Sequence, residues 1–405
     1  MRAMRSLLAV LLFATSLSAQ QKTFDLSGYV AGRGSDATGP SSWLQGGFGR
    51  MDVGGNREDY SAVAQLGLDW QPVQWLDVHV SGAARRDPGR KDAGVVEAFA
   101  DVRKSFGNDE VRLRAGQFFL PTSRENEGEL WTSPYSIHFS ALNSWIAEEV
   151  RPVGAELSWA HTTGRGQIVS AGATAFRGND TMGALLAWRG WSVGSRLSTY
   201  DEVLPLPPLE VLQTSFADQR DDGTKPFGSD LDGKNGYAAR VRWTNPQRAN
   251  VQYAYVDNRG DRALHRGEYA WATHFHLLSG EYGDPDDLSF AAEYLRGSTG
   301  MGVAPSFVQA DFYAAYALVS ERRGHSRWTV RYDLFRVLDT DRSAAGSNED
   351  SGRSWTIAWL HDLFTNVRLG AEFTQVTGKR PALQESGVDP SLDGRALTLE
   401  VRYRF

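Results

Sequence analysis

The last nine residues of the chain alternate strictly between apolar and polar side chains. The two sets are Leu397, Leu399, Val401, Tyr403 and Phe405 on one parity and Thr398, Glu400, Arg402 and Arg404 on the other. In a β-strand this parity places each set on one face. A strand of a soluble sandwich also alternates, but it seldom sets a glutamate and two arginines against so uniform an apolar row. The pattern therefore predicts a strand between lipid and water, as in a transmembrane antiparallel β-barrel of the all-β class.

The same alternation recurs along the chain and is interrupted at regular places. Residues 62–70 and 76–84 form one such pair around a short break at residues 71–74. Further short breaks lie at residues 161–166, 189–190, 245–248, 280–287, 321–326 and 362–366, and longer polar segments at residues 34–60, 121–149, 201–235, 339–352 and 377–394. Outer-membrane barrels have short periplasmic turns and long extracellular loops. We expect about 18 strands, or 16 if segments near Trp43 or Asn179 are not strands.

Eight of the thirteen tryptophans lie within a few residues of a predicted short turn. They are Trp70, Trp75, Trp159, Trp188, Trp191, Trp243, Trp328 and Trp359. Indole rings settle at the lipid headgroup level, so a ring of them near the turns predicts the periplasmic aromatic girdle of a barrel. The alternative is a tryptophan-rich core of a soluble β-protein, which would not favour the turn ends.

The first twenty residues have the pattern of an export signal. Arg2 and Arg5 precede an apolar run at residues 7–14, and small residues follow up to Ala19. We therefore expect residues 1–20 to be a cleaved signal peptide and residues 21–405 to be the barrel in the outer membrane of a Gram-negative-type cell. The absence of cysteine excludes lipoprotein anchoring and disulfides. A net charge of -6 gives no basic face for nucleic acid.

If the apolar parity faces lipid, the other parity lines the interior. The expected pore-lining residues are Glu97, Asp101, Arg112, Arg114, Arg240, Arg242, Arg331, Asp333, Arg368, Glu372, Glu400, Arg402 and Arg404. Charges of both signs across a narrow lumen set a transverse field that selects ions. The alternative is that these side chains pair across neighbouring strands and only keep the interior polar.

The segment at residues 121–149 follows the predicted fifth strand and is the expected constriction loop. It carries Arg124, Glu125, Glu127 and Glu129. It also carries Trp131 and Trp145, whose large apolar surfaces need burial that a solvated loop does not provide. The hypothesis is that this segment folds into the barrel; the alternative is an outward loop packed on its neighbours.

Metal and catalytic motifs are weak. Asp230, Asp232 and Asn235 resemble the front of a calcium loop, but the bidentate acid expected further on is absent. His274 and His276 are expected to face the lumen, where two histidines alone make a poor metal site. The sequence contains no GxSxG, HExxH or thiol. We expect no metal, no cofactor and no enzymatic activity.

Five segments carry a resemblance to a known family. They read VEAFADV at residues 96–102, RLRAGQFFLP at 112–121, RPVGAEL at 151–157, VRYDLF at 330–335 and VRYRF at 401–405. In this order they resemble the phosphate-selective porin family and its relatives among the outer-membrane porins. The resemblance implies a water-filled barrel narrowed by an inward loop, assembled as a homotrimer in outer-membrane lipid. It also implies that the barrel-assembly machinery reads the terminal aromatic residue.

The expected function is passive diffusion of small hydrophilic or anionic solutes, because 16 to 18 strands enclose an aqueous channel. The alternatives are a structural or adhesive barrel whose lumen is blocked by its own loops and, at lower weight, an outer-membrane enzyme.

Overall fold

The computed structural model describes residues 23–219, 223–246, 249–341, 346–385 and 387–405. The predicted signal peptide, at residues 1–20, lies outside them. Sixteen antiparallel strands close into a barrel in which the last strand pairs with the first. The strands are β1 (Thr23–Thr38), β2 (Arg57–Val73), β3 (Leu76–Asp87), β4 (Arg90–Phe106), β5 (Asp109–Gln117), β6 (Val153–Thr162), β7 (Ile168–Arg177), β8 (Gly236–Asn245), β9 (Ala249–Asp257), β10 (Ala272–Gly283), β11 (Leu288–Val303), β12 (Ser306–Arg323), β13 (Ser326–Asp339), β14 (Asp350–Phe364), β15 (Val367–Lys379) and β16 (Gly394–Arg404).

Within the described parts of the connections lie two α-helices and a short hairpin. The helices are α1 (Ala141–Glu149) and α2 (Ala184–Trp188), and the hairpin pairs Leu264–His265 with Glu268–Tyr269. Helix α1 begins after Ser140, whose side chain accepts a hydrogen bond from the backbone N–H of Asn143. Among the described residues, no helix is long and apolar enough to cross a membrane.

The closing strand β16 confirms the predicted parity. It pairs with β1 in a register that opposes Val401 to Gly32 and Glu400 to Arg33. The apolar side chains of its outer face, from Leu397 to Phe405, are 48–57% exposed in the isolated chain. The inward Thr398, Glu400 and Arg402 are almost fully buried. The outer surface is therefore apolar, as a lipid-facing barrel requires.

The connections differ between the two rims of the barrel. At one rim, named the turn rim, strands are joined by tight turns such as Gly107–Asn108 and Thr365–Asn366. At the opposite rim, named the loop rim, the connections after β1, β5, β7, β9, β13 and β15 are long. Only the β3–β4 and β11–β12 connections are tight there. This asymmetry confirms the predicted alternation of short and long connections.

Sixteen strands is the lower of the two counts that the sequence allowed, and the difference arises in one segment. Residues 189–190 were predicted to be a short turn between two strands, and that prediction is wrong. Strand β7 ends at Arg177 and β8 begins at Gly236, and the connection between them contains α2. Trp43 lies in a single turn of 3₁₀-helix and Asn179 in a loop. The apolar residues of this segment are buried in the barrel interior, and burial on several sides imitates the pattern of a strand.

The tryptophan prediction is confirmed for six of the eight residues. Trp75, Trp159, Trp243 and Trp328 are exposed on the outer surface, and Trp70 and Trp359 are partly exposed. All six lie on strands or turns near the turn rim, and Trp328 and Trp359 lie 6.0 Å apart between ring centroids. Trp188 and Trp191 are buried instead, because their segment folds inside the barrel.

Candidate functional site: the barrel interior

The inner wall is apolar on one side of the barrel, where a polar face was expected. Phe275 and Leu277 on β10, Leu295 on β11, Phe312 on β12 and Phe335 on β13 point inward and are fully buried. Helix α1 packs against β12 and β13 and covers this wall. An apolar inner face is stable here because protein, and not water, fills the space beside it.

Trp145 of α1 lies at the centre of this packing. Its ring makes edge contacts with Trp191, Phe275 and Phe312 at centroid distances of 5.9, 5.3 and 5.5 Å. Edge-to-face aromatic pairs of this kind add stability beyond the area they bury. The segment expected to form a constriction is therefore inside the barrel at residues 118–152, together with part of the β7–β8 connection.

Buried ion pairs anchor this inward segment to β13. Arg331 donates to Glu125 at 2.6 Å and to Asp333 at 3.0 Å, and all three side chains are buried. Glu125 also accepts the backbone N–H of Ser140 at 2.9 Å. Burial raises the pKa of the Glu125 carboxyl, whereas the neighbouring Arg331 opposes that rise. Two predicted residues, Arg331 and Asp333, thus face inward but contact the segment and not open water.

A second anchor lies on β15. Glu372 accepts hydrogen bonds from the backbone N–H of Ile137 and from His138 Nδ1, both at 2.6 Å. A third lies on β11, where Glu293 accepts from the backbone N–H of Arg124 and from Asn143 Nδ2 at 2.7 Å. Strands β11 and β15 therefore hold the segment through carboxylates that accept from its donors, and β13 holds it through Arg331, which donates to Glu125 of the segment.

The other predicted constriction residues, Arg124, Glu127 and Glu129, differ in exposure. Arg124 forms an ion pair with Glu127, and Glu281 on β10 lies 4.0 Å from the Arg124 guanidinium. Glu129 is exposed in a short 3₁₀ turn. The Trp131 ring stacks on the Phe119 ring, with 4.2 Å between the ring centroids. Glu127 and Glu129 are therefore the exposed members of the predicted set, whereas Arg124 is buried.

Helix α1 is tied to α2 through one carboxylate. Glu149 accepts hydrogen bonds from the backbone N–H groups of Gly183 at 3.1 Å and Leu185 at 3.0 Å, and from Trp145 Nε1 at 2.6 Å. Burial raises the pKa of Glu149 to about 7. The two inward connections are therefore joined by a side chain whose charge changes close to neutral pH.

Arginine exceeds carboxylate on the wall formed by β1, β15 and β16. Glu400 is the shared partner of Arg33 at 2.8 Å, Arg402 at 2.9 Å and Arg368 at 3.5 Å. Arg404 pairs separately with Asp362 at 2.8 Å. Three guanidinium groups around one carboxylate leave a local excess of positive charge.

The remaining predicted pore-lining residues lie on β4, β5 and β8. Asp101 pairs with Arg112 and with Arg114, the latter at 3.1 Å, and the Arg112 side chain is 39% exposed. Arg240 pairs with Glu156 at 3.0 Å, and Arg242 donates to Gln252 at 2.7 Å. Glu97 accepts the backbone N–H of Phe119 at 2.8 Å, where the inward segment begins. This part of the wall is less covered than the side that faces α1.

The structure groups the candidate metal ligands differently from the sequence prediction. His274 and His276 were expected to face the lumen, but both are exposed on the outer surface because the inward parity of β10 belongs to Phe275 and Leu277. The carboxylates of Asp230 and Asp232 come together with that of Asp180, all within 4.8 Å of one another. Burial raises the pKa of Asp180 to about 6. Asn235 instead accepts a hydrogen bond from Arg177 at 2.6 Å.

Four buried charged residues were not predicted from the sequence: Glu149, Arg151, Asp180 and Glu293. Glu293 lies on the inward parity of β11, so the alternation rule could have found it. Glu149 ends helix α1, and Arg151 and Asp180 lie in connections outside any strand. Their positions depend on which connections fold into the barrel.

No protein-family model matches the chain, and no curated protein matches it. Solved structures with a similar fold are outer-membrane proteins. OmpT of Vibrio cholerae, in a trimer form, has a TM-score of 0.53 at 10% identity, covering 95% of this chain and 100% of that one. The outer-membrane channel DcaP of Acinetobacter baumannii has a TM-score of 0.53 at 12% identity, covering 96% and 99%. An anion-selective porin from Comamonas acidovorans has a TM-score of 0.51 at 12% identity, covering 95% and 100%. The chain therefore has the fold of outer-membrane porins.

Proposed function

We propose that the protein is an outer-membrane porin that passes small hydrophilic or anionic solutes by passive diffusion. One observation carries the proposal. The sixteen strands form a closed barrel, and the connection after β5 lies inside it. Buried ion pairs and hydrogen bonds that involve Glu293, Glu125 and Glu372 hold this connection to β11, β13 and β15. An anchored inward segment sets the width of a lumen. A barrel of this strand number otherwise encloses an aqueous channel.

The preference for anions rests on the arginine excess. Arg33, Arg368 and Arg402 share Glu400, and Arg112 and Arg114 share Asp101. In each group one positive charge or more is left without a carboxylate of its own. Positive charge along a narrow wall raises the local concentration of anions and lowers that of cations.

A second candidate is a structural or adhesive barrel whose lumen is closed by its own connections. The packing around Trp145 favours it, because Trp145, Trp191, Phe275 and Phe312 are fully buried inside the barrel. A close-packed apolar cluster excludes water from the part of the lumen that it fills.

Liposome swelling separates the two candidates. The purified protein is reconstituted, and swelling is followed in isosmotic sugars of increasing size and in salts of small organic anions. The porin predicts swelling that falls with solute size, and no swelling in any solute would overturn it in favour of the closed barrel. Vesicles prepared without protein are the control. Reversal potentials in a salt gradient across a planar bilayer then measure selectivity, and a cation preference would contradict the role given to the arginines.

The cellular setting is part of the proposal. We place the mature chain in outer-membrane lipid, inserted by the barrel-assembly machinery after removal of residues 1–20, as a homotrimer without a catalytic role. The outer apolar surface and the fold shared with a trimeric OmpT form support this assignment. N-terminal sequencing of the mature protein tests the cleavage, and crosslinking in native membranes tests the trimer.

A further inference from the structure

A groove of about 670 Å³ crosses the outer surface of the barrel on β10, β11 and β12. Its floor is formed by small residues on the outward parity of these strands. Gly280, Ala292 and Ala317 lie directly opposite one another in the strand register. The inward residues beside them, such as Glu293 and Tyr316, are buried. The groove therefore opens to the outside of the barrel and not to the lumen.

Larger apolar residues form the two walls of the groove. Tyr282 and Phe290 are paired on the side of the turn rim, and Leu278 and Tyr294 are paired on the side of the loop rim. These four side chains are 44–55% exposed in the isolated chain. The groove thus has an apolar lining within the outward band that meets the hydrocarbon of the membrane. A lipid acyl chain is the occupant that such a lining fits.

The next outward row toward the loop rim is polar. His276 on β10, Arg296 on β11, Tyr313 on β12 and Arg336 on β13 lie side by side, each directly opposite the next. His276 and Arg296 are exposed, and Tyr313 and Arg336 are partly exposed. Since neighbouring strands lie about 4.8 Å apart, the four residues span roughly 14 Å. All four side chains can donate hydrogen bonds to one headgroup.

The charges of this row favour an anionic headgroup. Arg336 pairs with Glu349 at 2.9 Å, whereas Arg296 forms no ion pair with a carboxylate of the described residues. Asp311, on the same face of β12, lies opposite Ser298 and leaves Arg296 unpaired. An arginine at the edge of an apolar band lies at the level of lipid headgroups, where a phosphate group offers it a bidentate partner.

The opposite edge of the same strands has no such unpaired charge among the described residues. The outward arginine there is Arg323, at the turn-rim end of β12, and its guanidinium pairs with Glu321 on the same face at 2.6 Å. The unbalanced charge is therefore confined to the loop-rim side. A lipid bound by it belongs to the leaflet on that side of the membrane.

We propose that the groove and the polar row form a binding site for one phosphorylated lipid of the leaflet on the loop-rim side. An acyl chain lies along Gly280, Ala292 and Ala317, and a phosphate group lies against Arg296 with His276 beside it. The inference goes beyond the proposed function, in which lipid only surrounds the barrel. It does not depend on solute passage.

Native mass spectrometry of the purified protein in detergent tests the site by counting retained lipids. The probes are dioleoyl-phosphatidylglycerol and lipid A with two phosphate groups, and dioleoylglycerol is the matched probe without phosphate. One copy of at least one phosphorylated probe should be retained, and dioleoylglycerol should not. Arg296→Gln should weaken binding about tenfold or more, because a charge-assisted hydrogen bond is lost.

The matched control is Arg395→Gln. Arg395 is also exposed on the outward parity, and it follows the apolar row of β16 as Arg296 follows that of β11. Its outward neighbours Leu397 and Leu399 are large, so they leave no room for an acyl chain beside it. This variant should retain the lipid as the native protein does, and an equal loss in both variants would overturn the site.

A second variant tests the groove and leaves Arg296 in place. Ala292→Trp fills the floor and should abolish binding, whereas Ala371→Trp, on the outward face of β15, should not. Equal retention of dioleoylglycerol, no retention of a phosphorylated probe, or unchanged affinity in Ala292→Trp would contradict the proposal. So would displacement of the lipid by inorganic phosphate, since free phosphate cannot occupy the groove.

Liposome swelling on the same preparations keeps the two proposals apart. Arg296→Gln should swell as the native protein does, because Arg296 faces outward. Solute flux without lipid binding removes the lipid site alone, and lipid binding without solute flux removes the porin alone.

Discussion

Arg331 on the barrel wall and Glu125 in the connection after β5 form an ion pair of 2.6 Å in which both side chains are completely buried. The two residues are separated by about half of the chain. The pair therefore shows that the connection after β5 lies against the inner face of β13. It also makes the position of the connection sensitive to single substitutions, because a buried charge that loses its partner is strongly destabilising.

Replacing Arg331 should release the inward segment. Arg331→Met leaves Glu125 and Asp333 buried without a cation, and we expect a loss of about 3–5 kcal/mol in the free energy of unfolding in urea. Proteolysis within residues 121–149 should also increase. Adding Glu125→Gln should recover part of the loss. Arg112→Met is the control, because its side chain is 39% exposed, and it should cost less than about 1 kcal/mol. Equal losses in the two variants would argue against the anchor.

Removing residues 121–149 should widen the lumen of the barrel. A chain in which residues 121–149 are replaced by a short glycine-serine linker loses the α1 packing against β12 and β13. We expect a higher single-channel conductance in a planar bilayer, because the cross-section open to water increases. An unchanged conductance would count against a constriction formed by this segment. Heat-modifiable migration on a gel checks that the shortened barrel has closed.

The link through Glu149 should depend on pH. The pKa of this carboxyl is raised from 4.5 to about 7, so the protonated form is favoured in the folded state. The contribution of Glu149 to the free energy of unfolding is complete below the ordinary pKa of 4.5. It declines as the pH rises from there through about 7, by up to about 3 kcal/mol in total.

Unfolding free energies between pH 5 and pH 8 test the link. The native protein should lose stability over this range, and Glu149→Gln should flatten the slope. Glu129→Gln is the matched control, since Glu129 is exposed and should leave the slope as it is. The same slope in native protein and Glu149→Gln would contradict the assignment.

A charged residue on the outer face of β16 should destabilise the protein more near the middle of the membrane than near the turn rim. Leu399 lies midway along the strand and is 57% exposed on the apolar surface. Leu399→Lys should destabilise the protein in lipid vesicles by about 2–4 kcal/mol, whereas Tyr403→Lys, near the turn rim, should cost about 0–1 kcal/mol. Equal costs for both substitutions would mean that this face does not meet the lipid interior.

Much of the barrel could be predicted from local pattern. The outward row from Leu397 to Phe405 and the turns between strands follow from a repeat of two residues, and that repeat is a property of neighbouring residues alone. The segment after β5 was also expected inside, because Trp131 and Trp145 needed burial. Where a local pattern and a tertiary environment coincide, as at Trp328, the sequence was sufficient.

The tertiary structure alone decided what fills the barrel. Apolar residues of 178–200 imitate strands, and only their packing against α1 shows that they form an interior connection. Phe275, not His276, faces inward, since the wall of β10 is covered by protein. Asp180 meets Asp230 because two distant parts of one connection fold back on each other. Such contacts depend on loop paths through space. The sequence by itself determined most strands and the outer face of strands such as β16, because alternation depends on neighbouring residues, whereas long-range packing determined the interior and the parity of β10.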